Sequence, residues 1–311
     1  DEFQGSLSAL KRFCLRLRKG QKVRAEDVRI PVETEPGDVA QVDFGYVGKL
    51  YDPASRTVRK AWVFVMVLGY SRHMYARITF EQKVETWLAC HMEAFQHLGG
   101  VPRTLVPDNL KAAVIRAAFG VDDSCELNRS YRELARYYGC QIDPTPPRDP
   151  RKKGKVESGV KYVKNNFFKA QGIEDADLAQ AALMRWLLEI AGQRRHGTTG
   201  EKPYVVFLEE EQSTLLPLPS QVFETVVWRE CTVHPDSHIC FERHLYSVPW
   251  SHIGEKVWVR ATPKTVTLYA SDTCVARHER RRCGGRSTQD SHLPEHRVPW
   301  RHRSKTYWLE R

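Results

Sequence analysis

The spacing of hydrophobic residues divides the chain into three regimes. In the first, Leu7, Leu10, Cys14 and Leu17 recur at helical intervals behind Ser6, a favourable N-cap residue. Arg12, Arg16 and Lys19 lie off that stripe, and a basic, linker-like stretch runs on to Pro36. Residues 1–36 therefore predict a helix and a linker. The helix reads equally as a segment docked on its own protein and as the end of a truncated helix-turn-helix unit. The chain lacks an initiator Met and starts inside this helical pattern, so we expect a piece of a longer protein.

In the second regime, residues 37–196, strands alternate with helices. In "DVAQVDFG", Gln41 and Asp43 point one way and Ala40, Val42 and Phe44 the other. "KAWVFVMVLGYSRHMYARITF" predicts two strands around a turn near 71–73. Val84, Leu88, Met92 and Phe95 mark a helix over about 83–98, and "TLVP" a short buried strand. A helix is expected over 110–118. Another runs through Leu127, Tyr131, Leu134 and Tyr138 and stops at Gly139. A short strand follows in "CQIDPTP". Val156, Val160, Val163 and Phe167 then fall at i, i+4, i+7 and i+11, a core-facing stripe on a helix beginning near Lys153. Leu183, Trp186, Leu187 and Ile190 mark a last helix ending near His196. This order predicts an α/β class with a mixed sheet and helices on both faces.

The third regime has period two. Residues 197–221, with Gly, Pro and Glu, read as a linker. Over 222–283, "VFETVVWRECTV", "HICFE", "LYSVP", "KVWVRA", "TVTLYA" and "CVARHER" are short strands at short intervals, as in a small β-barrel or sandwich. The basic tail, 284–311, is expected to be flexible unless DNA or a partner orders it, with Trp300 and Trp308 placed to stack on bases or, slightly favoured, to dock on another subunit.

Charge adds a partner to this picture. Forty-eight Lys and Arg against thirty-eight Asp and Glu give +10, which points to a polyanion, most often nucleic acid. The positive charge clusters at 11–24, 148–169, 277–286 and 297–311. Candidate DNA contacts are Arg12, Arg16, Lys152, Lys153, Lys155, Lys161, Lys164, Arg281 and Arg282. The eight cysteines form no CxxC pair and read as reduced, mostly buried thiols in the cytosol. The longest apolar run, 61–70, is too short to span a bilayer, so no membrane partner is expected.

The most basic stretch, "DPRKKGKVESGVKYVKNNFF", contains Glu157. A helix-dipole acid, or an ion pair with Lys161 at i+4, would explain it. Asp43 reads as the polar face of a half-buried strand, and Asp108 as a turn residue or N-cap. Yet Glu157, Lys161 and Lys164 form a stripe one residue round from the valines, at the edge of the core, where a cleft forms readily. Phosphates held there by lysines would repel the carboxylate unless a cation stood between them, and Mg²⁺ suits carboxylate and phosphate oxygens.

"VDFG", "VPDN" and "KGKVESGVKYVKNNFF" resemble the three acidic motifs of the DDE transposases and retroviral integrases. The spacings are 65 residues from Asp43 to Asp108 and 49 from Asp108 to Glu157. "QRRHGTTGEKPYVVF", 193–207, resembles the segment following that domain in many integrase-like enzymes. Together they look most like the IstA-type transposases of bacterial insertion sequences, over roughly 36–210. The later part resembles, more loosely, the small β-barrel of Mu-type transposases. The order and spacing of the motifs carry this likeness; no single motif is specific. The resemblance implies a ribonuclease H-like domain, with Asp43, Asp108 and Glu157 as catalytic residues and ligands of two Mg²⁺ ions, for which Mn²⁺ can substitute. It also implies cleavage of transposon ends and joining of their 3′-hydroxyls to target DNA. The partners implied are double-stranded DNA (terminal inverted repeats and target), further copies in a dimer or higher oligomer, and an ATPase of the IstB type. The expected location is the bacterial cytoplasm, at the nucleoid. The 49-residue gap is longer than in retroviral enzymes and suggests an insertion near 119–126.

Two rivals remain: a structure-specific nuclease using the same three acids, and a catalytically silent DNA-binding protein of transposase-derived fold. A zinc site is the other candidate chemistry, from His234, His238, Cys240, His244, His278 and Cys283, but the strand period scatters these ligands to both faces. The chain has neither a GxxxxGK[ST] loop for ATP nor a GxSxG elbow.

Overall fold

The computed structural model describes residues 8, 11–13, 33–107, 114–116, 126–144, 154–281 and 283–301. Its centre is a five-stranded sheet built on β1 (Val39–Asp52) and β2 (Thr57–Leu68), followed by β3 (Met74–Thr79), β4 (Thr104–Pro107) and β7 (Gln141–Ile142). The strand order is β3-β2-β1-β4-β7. The pairs β3–β2 and β2–β1 are antiparallel, whereas β1–β4 and β4–β7 are parallel. This is the ribonuclease H-like arrangement. β2 is buried on both faces from Val63 to Leu68, which is why it reads as a continuous apolar run without alternation.

Helices cover both faces. Ala40, Val42, Phe64 and Met66 pack with Trp87 and Phe95 of α1 (Val84–Leu98) and with Tyr131, Leu134 and Tyr138 of α2 (Arg129–Tyr138). On the other face Val63, Val65 and Val67 meet Val156, Val160 and Val163 of α3 (Gly154–Val163) and Leu183 and Trp186 of α4 (Ala176–Trp186). Gly99 and Gly139 close α1 and α2 in the left-handed region at φ 72° and 71°, where a side chain would be strained.

Several expectations change. Instead of a helix over 110–118, Val114–Arg116 forms a strand, β5, paired antiparallel with β6 (Glu126–Leu127). The β-branched Val114 and Ile115 suit a pleated ladder better than a helix interior. Leu127 therefore precedes α2, which starts behind Asn128; the Asn128 side chain accepts from the Ser130 N–H. Of the expected insertion near 119–126, residues 119–125 lie outside the described residues. Beyond α4 the helix continues as a π turn, Leu187–Ala191. Its wider i→i+5 winding turns Ala191 inward and leaves Ile190 exposed, so the 3.6 period fails there.

The segment 197–221 is more than a connection. α5 (Pro203–Val206) runs into a π turn, Phe207–Glu211, and Phe207 and Leu215 are buried in the first cluster. The C-terminal part is β-rich without a closed barrel. β8 (Val227–Thr232), β11 (Lys256–Ala261), β12 (Thr265–Ala270) and β13 (Thr273–Glu279) form one sheet in the order β13-β12-β11-β8. β9 (His238–Phe241), β10 (His244–Ser247) and β14 (Gly285–Ser287) form a second. Val257, Val259, Ile239, Phe241 and Tyr246 share one core, so side-chain packing joins sheets that no described strand pairing connects.

The start of the tail, expected to be flexible, is docked here. β14 pairs with β10, and His292 is buried against the Ser247 hydroxyl at 2.8 Å. Residues 302–311, with Trp308, lie outside the described residues. Of the six described cysteines only Cys90 and Cys140 are buried, fewer than the sequence reading supposed, because Cys231, Cys240 and Cys274 fall in the thin C-terminal sheets and Cys283 in the bend before β14. Among the described residues no helix is long and apolar enough to cross a membrane.

Candidate active site

β1 presents Gln41, Asp43 and Gly45 on the face beneath α3, as its alternation requires. Three contacts seat the helix there. The Gln41 side-chain carbonyl accepts from the Val156 N–H at 3.0 Å, satisfying one of the donors a first helical turn leaves open. Gly45 lies directly under Val160, and a Cβ there would stand 2.4 Å from Val160 Cγ1. Gly159 rests on Val67 and Met74, where a Cβ would stand 2.9 and 3.3 Å from their side chains. Two glycines thus let helix and sheet approach more closely than side chains would allow.

The result is a cleft of about 420 Å³ lined by Asp43, Glu157, Val160, Lys161, Lys164, Asn165 and Lys169. Asp43 Oδ1 accepts from the Phe44 N–H at 2.8 Å. Glu157 and Lys161 are exposed and Lys164 half-buried. Asp43 and Glu157, 114 positions apart by their numbers, come together because the valine stripe of α3 is pinned over β1. β4 ends at Pro107, in register with Val42, the neighbour of Asp43. Asp108 is next in sequence and lies outside the described residues, as do Lys152, Lys153, Arg16 and Arg282.

The other sequence candidates are dispersed. Lys155 turns away from the cleft, with Nζ donating to the Gly69 carbonyl at 3.0 Å and reaching Thr34 Oγ1 at 3.4 Å. Burial, reinforced by the Arg72 charge, lowers its pKa to about 8 against the opposing pull of Glu211 and Glu33. Arg12 is exposed and helical, and its Nε donates to the Ser8 carbonyl at 3.3 Å. Arg281 belongs to the C-terminal part, where it pairs with Glu279 at 2.7 Å.

Sequence reasoning missed three residues. Asn165 and Lys169 reach the cleft through the π turn Lys164–Phe168, which adds a residue to the turn and has no signature in a 3.6 period. Glu211, inside the supposed linker, is fully buried and accepts from the N–H groups of Gly37 and Ser71, both at 3.1 Å. It ties residues after the last long helix to the start of β1 and to the β2–β3 turn. No local pattern separates it from its exposed neighbours.

Three of the four histidines considered for zinc are engaged elsewhere. His238 Nε2 meets Thr288 Oγ1 at 2.8 Å, His244 Nδ1 donates to the Cys283 carbonyl at 2.9 Å, and His278 Nε2 donates to the Ser247 carbonyl at 2.8 Å. Among the described residues no three His, Cys, Asp or Glu side chains form a metal-binding group.

Comparison with known proteins adds independent findings. Residues 33–150 match the family described as "Integrase core domain", and residues 218–290 match "Mu transposase, C-terminal domain". A Mycobacterium tuberculosis protein assigned as a transposase is 36% identical over 289 residues, covering 92% of this chain and 70% of that protein. The transposase for insertion sequence element IS21 of Pseudomonas aeruginosa is 29% identical over 299 residues, covering 96% of this chain and 73% of that protein. The chain spans about half the length of other relatives, including 49% of a Sinorhizobium fredii protein that is 34% identical over 80% of this chain. Among solved structures, the HTLV-2 integrase catalytic core domain in complex with magnesium superposes with a TM-score of 0.41 and 15% identity, covering 57% of this chain and 99% of that one.

Proposed function

This chain belongs to the IS21-type (IstA) transposases, with an integrase core and a Mu-type C-terminal domain, and from that premise we propose that it cuts transposon ends and joins their 3′-hydroxyls to target DNA. One observation carries the proposal: carboxylates from β1 and α3, Asp43 and Glu157, line one cleft together with Lys161, Lys164 and Lys169. Lysines alone would make a DNA-binding groove, whereas two acids among them give it a reason to hold a metal.

The donor set fits Mg²⁺, since carboxylate oxygens from two separate elements face space open to phosphate oxygens. Asp43, Asp108 and Glu157 are the proposed ligands of two ions. When bound, such ions lower the pKa of an attacking water or hydroxyl and neutralise charge on the leaving oxygen. The protein's own residues do the rest. The three lysines hold the scissile phosphodiester against the acids. Gln41, Gly45 and Gly159 keep α3 seated, so that Glu157 keeps its place relative to Asp43. Phosphoryl transfer rewards this positioning, because little covalent chemistry is asked of the protein. Holding two ends for concerted joining calls for a dimer or larger assembly. An ATPase of the IstB type and a bacterial cytoplasmic setting complete the reading.

The test is Glu157→Gln beside Asp43→Asn and Asp108→Asn, with labelled transposon ends, a target plasmid and Mg²⁺. Each amide should keep fold and DNA binding and lose cleavage and joining by about a thousand-fold or more, without adding when combined. Asp52→Asn, Asp143→Asn and Asp149→Asn should stay active. An active Glu157→Gln protein would sink the assignment. Cut ends without joined products would make the wild type a nuclease; binding without chemistry would make it a silent DNA-binding protein.

A further inference from the structure

A second charged pocket, of about 560 Å³, lies where α2 meets the C-terminal sheet. Four arginines, Arg129, Arg132, Arg136 and Arg260, face two acids, Glu133 and Asp272. The sequence arranges this simply. Tyr131, Leu134, Ala135 and Tyr138 turn the apolar face of α2 into the core, which leaves Arg129, Arg132 and Arg136 at i, i+3 and i+7 on the outer face.

Two of the four arginines are fixed by their neighbours. Arg129 lies 4.1 Å from the Trp258 ring centre and 5.4 Å from that of Trp228, and it reaches Asp272 at 3.6 Å. Arg260 forks onto Glu133, which also accepts from Trp228 Nε1 at 2.9 Å. Both acids are thereby engaged. Arg132 and Arg136 are exposed and have no ion-pair partner among the described residues. The aromatic rings are engaged as well: Trp228 and Trp258 hold Arg129, and Tyr269 packs on Trp228 with ring centres 5.5 Å apart. What the pocket offers outward is guanidinium charge, with no open apolar anchor of the kind that dominates protein interfaces. Guanidinium groups suit phosphate oxygens in particular.

We propose that this pocket is a second DNA-backbone site, in which Arg132 and Arg136 bind phosphates between flanks set by Arg129 and Arg260. The inference rests on the DNA-acting reading above. α2 packs against the Ala40 and Val42 face of the sheet and α3 against the Val63 and Val65 face. The phosphates held here are therefore not those in the cleft, and the two sites contribute separately to binding.

The experiment follows binding of a labelled duplex to the whole chain by anisotropy as NaCl is raised. Wild type is compared with Arg132→Ala/Arg136→Ala, Arg132→Lys/Arg136→Lys and Lys161→Ala/Lys164→Ala. Each phosphate contact contributes about 0.9 to the slope of log K against log salt. The double alanine variant should therefore be shallower by about 1.8, the lysine variant should recover most of that, and the loss should add to that of the cleft variant. An unchanged slope in Arg132→Ala/Arg136→Ala, with a reduced one in Lys161→Ala/Lys164→Ala, overturns the second site and leaves the cleft standing. A slope that lysine leaves as shallow as alanine does overturns it too, since the slope counts phosphates neutralised by charge, which lysine carries as arginine does. If the wild type shows no salt-dependent binding, this proposal falls together with the proposed function.

Discussion

His91 is fully buried on α1, where its Nδ1 donates to the Trp87 carbonyl at 2.8 Å and the Tyr131 hydroxyl lies 3.1 Å from Nε2. Burial lowers its pKa to about 4, and burial with the nearby His97 charge lowers that of His73 to about 3. Both are neutral in the folded chain, while in the unfolded chain each takes a proton below about pH 6.5. Their contribution to stability is complete above pH 6.5. It is lost as pH falls, by about 1.4 kcal/mol per unit for each histidine, down to about pH 4 for His91 and pH 3 for His73. Denaturant unfolding at stepped pH should show this slope. His91→Phe should flatten it, at a cost of about 1–3 kcal/mol at neutral pH for leaving the Tyr131 hydroxyl unpaired; an unflattened slope would assign the acid sensitivity elsewhere. Single residues were unevenly legible. Strand alternation put Asp43 on the Gln41 face, and the valine stripe put Glu157 beside a cleft. The inward turn of Lys155 and the burial of Glu211 depend on partners far along the chain, and nothing adjacent to them signals it.

Among the elements, the seating of α3 on β1 has the strictest requirement. Gly45→Ala places a methyl 2.4 Å from Val160 Cγ1, against a helix already packed on the sheet. The expected cost is about 1–3 kcal/mol in urea unfolding. End cleavage should fall further than that cost explains, because a raised α3 carries Glu157 away from Asp43. Gly197→Ala, which meets nothing within 4 Å, should change neither quantity. Wild-type cleavage in a destabilised Gly45→Ala protein would separate the packing from the chemistry. The helices and long strands were readable because their apolar periods hold over several turns. The misread pieces, Val114–Arg116 and the π turns at Lys164–Phe168 and Leu187–Ala191, are short or depart from the 3.6 period.

At the scale of the whole molecule, the two parts of the chain share packing. Phe207, Leu215, Phe223 and Val226 belong to the same buried cluster as Trp87 and Tyr131. Glu133 adds a polar clasp through Arg260 and Trp228. Glu133→Ala should cost about 1–3 kcal/mol, since it leaves a partly buried arginine unpaired. It should also separate the melting of the C-terminal sheets from that of the α/β body, visible as a second calorimetric transition. A single transition at the wild-type temperature would show that the clasp is dispensable.

The sequence by itself determined the order of strands and helices in the α/β part outside 110–127, the inward stripes of α1 to α4, the orientation of Asp43 and the β-rich character of the C-terminal part. All are local, written in periods of 2 and 3.6 and in turn residues. The tertiary structure alone decided that Gly45 and Val160 touch, that Glu211 reaches Gly37 and Ser71, and that residues 203–216 join the core. It also decided that the C-terminal sheets pack without closing, and that α2 and β11 bring arginines to one pocket. These contacts join residues tens to more than a hundred positions apart. Shape and charge select them only after the elements have formed, so no local period announces them.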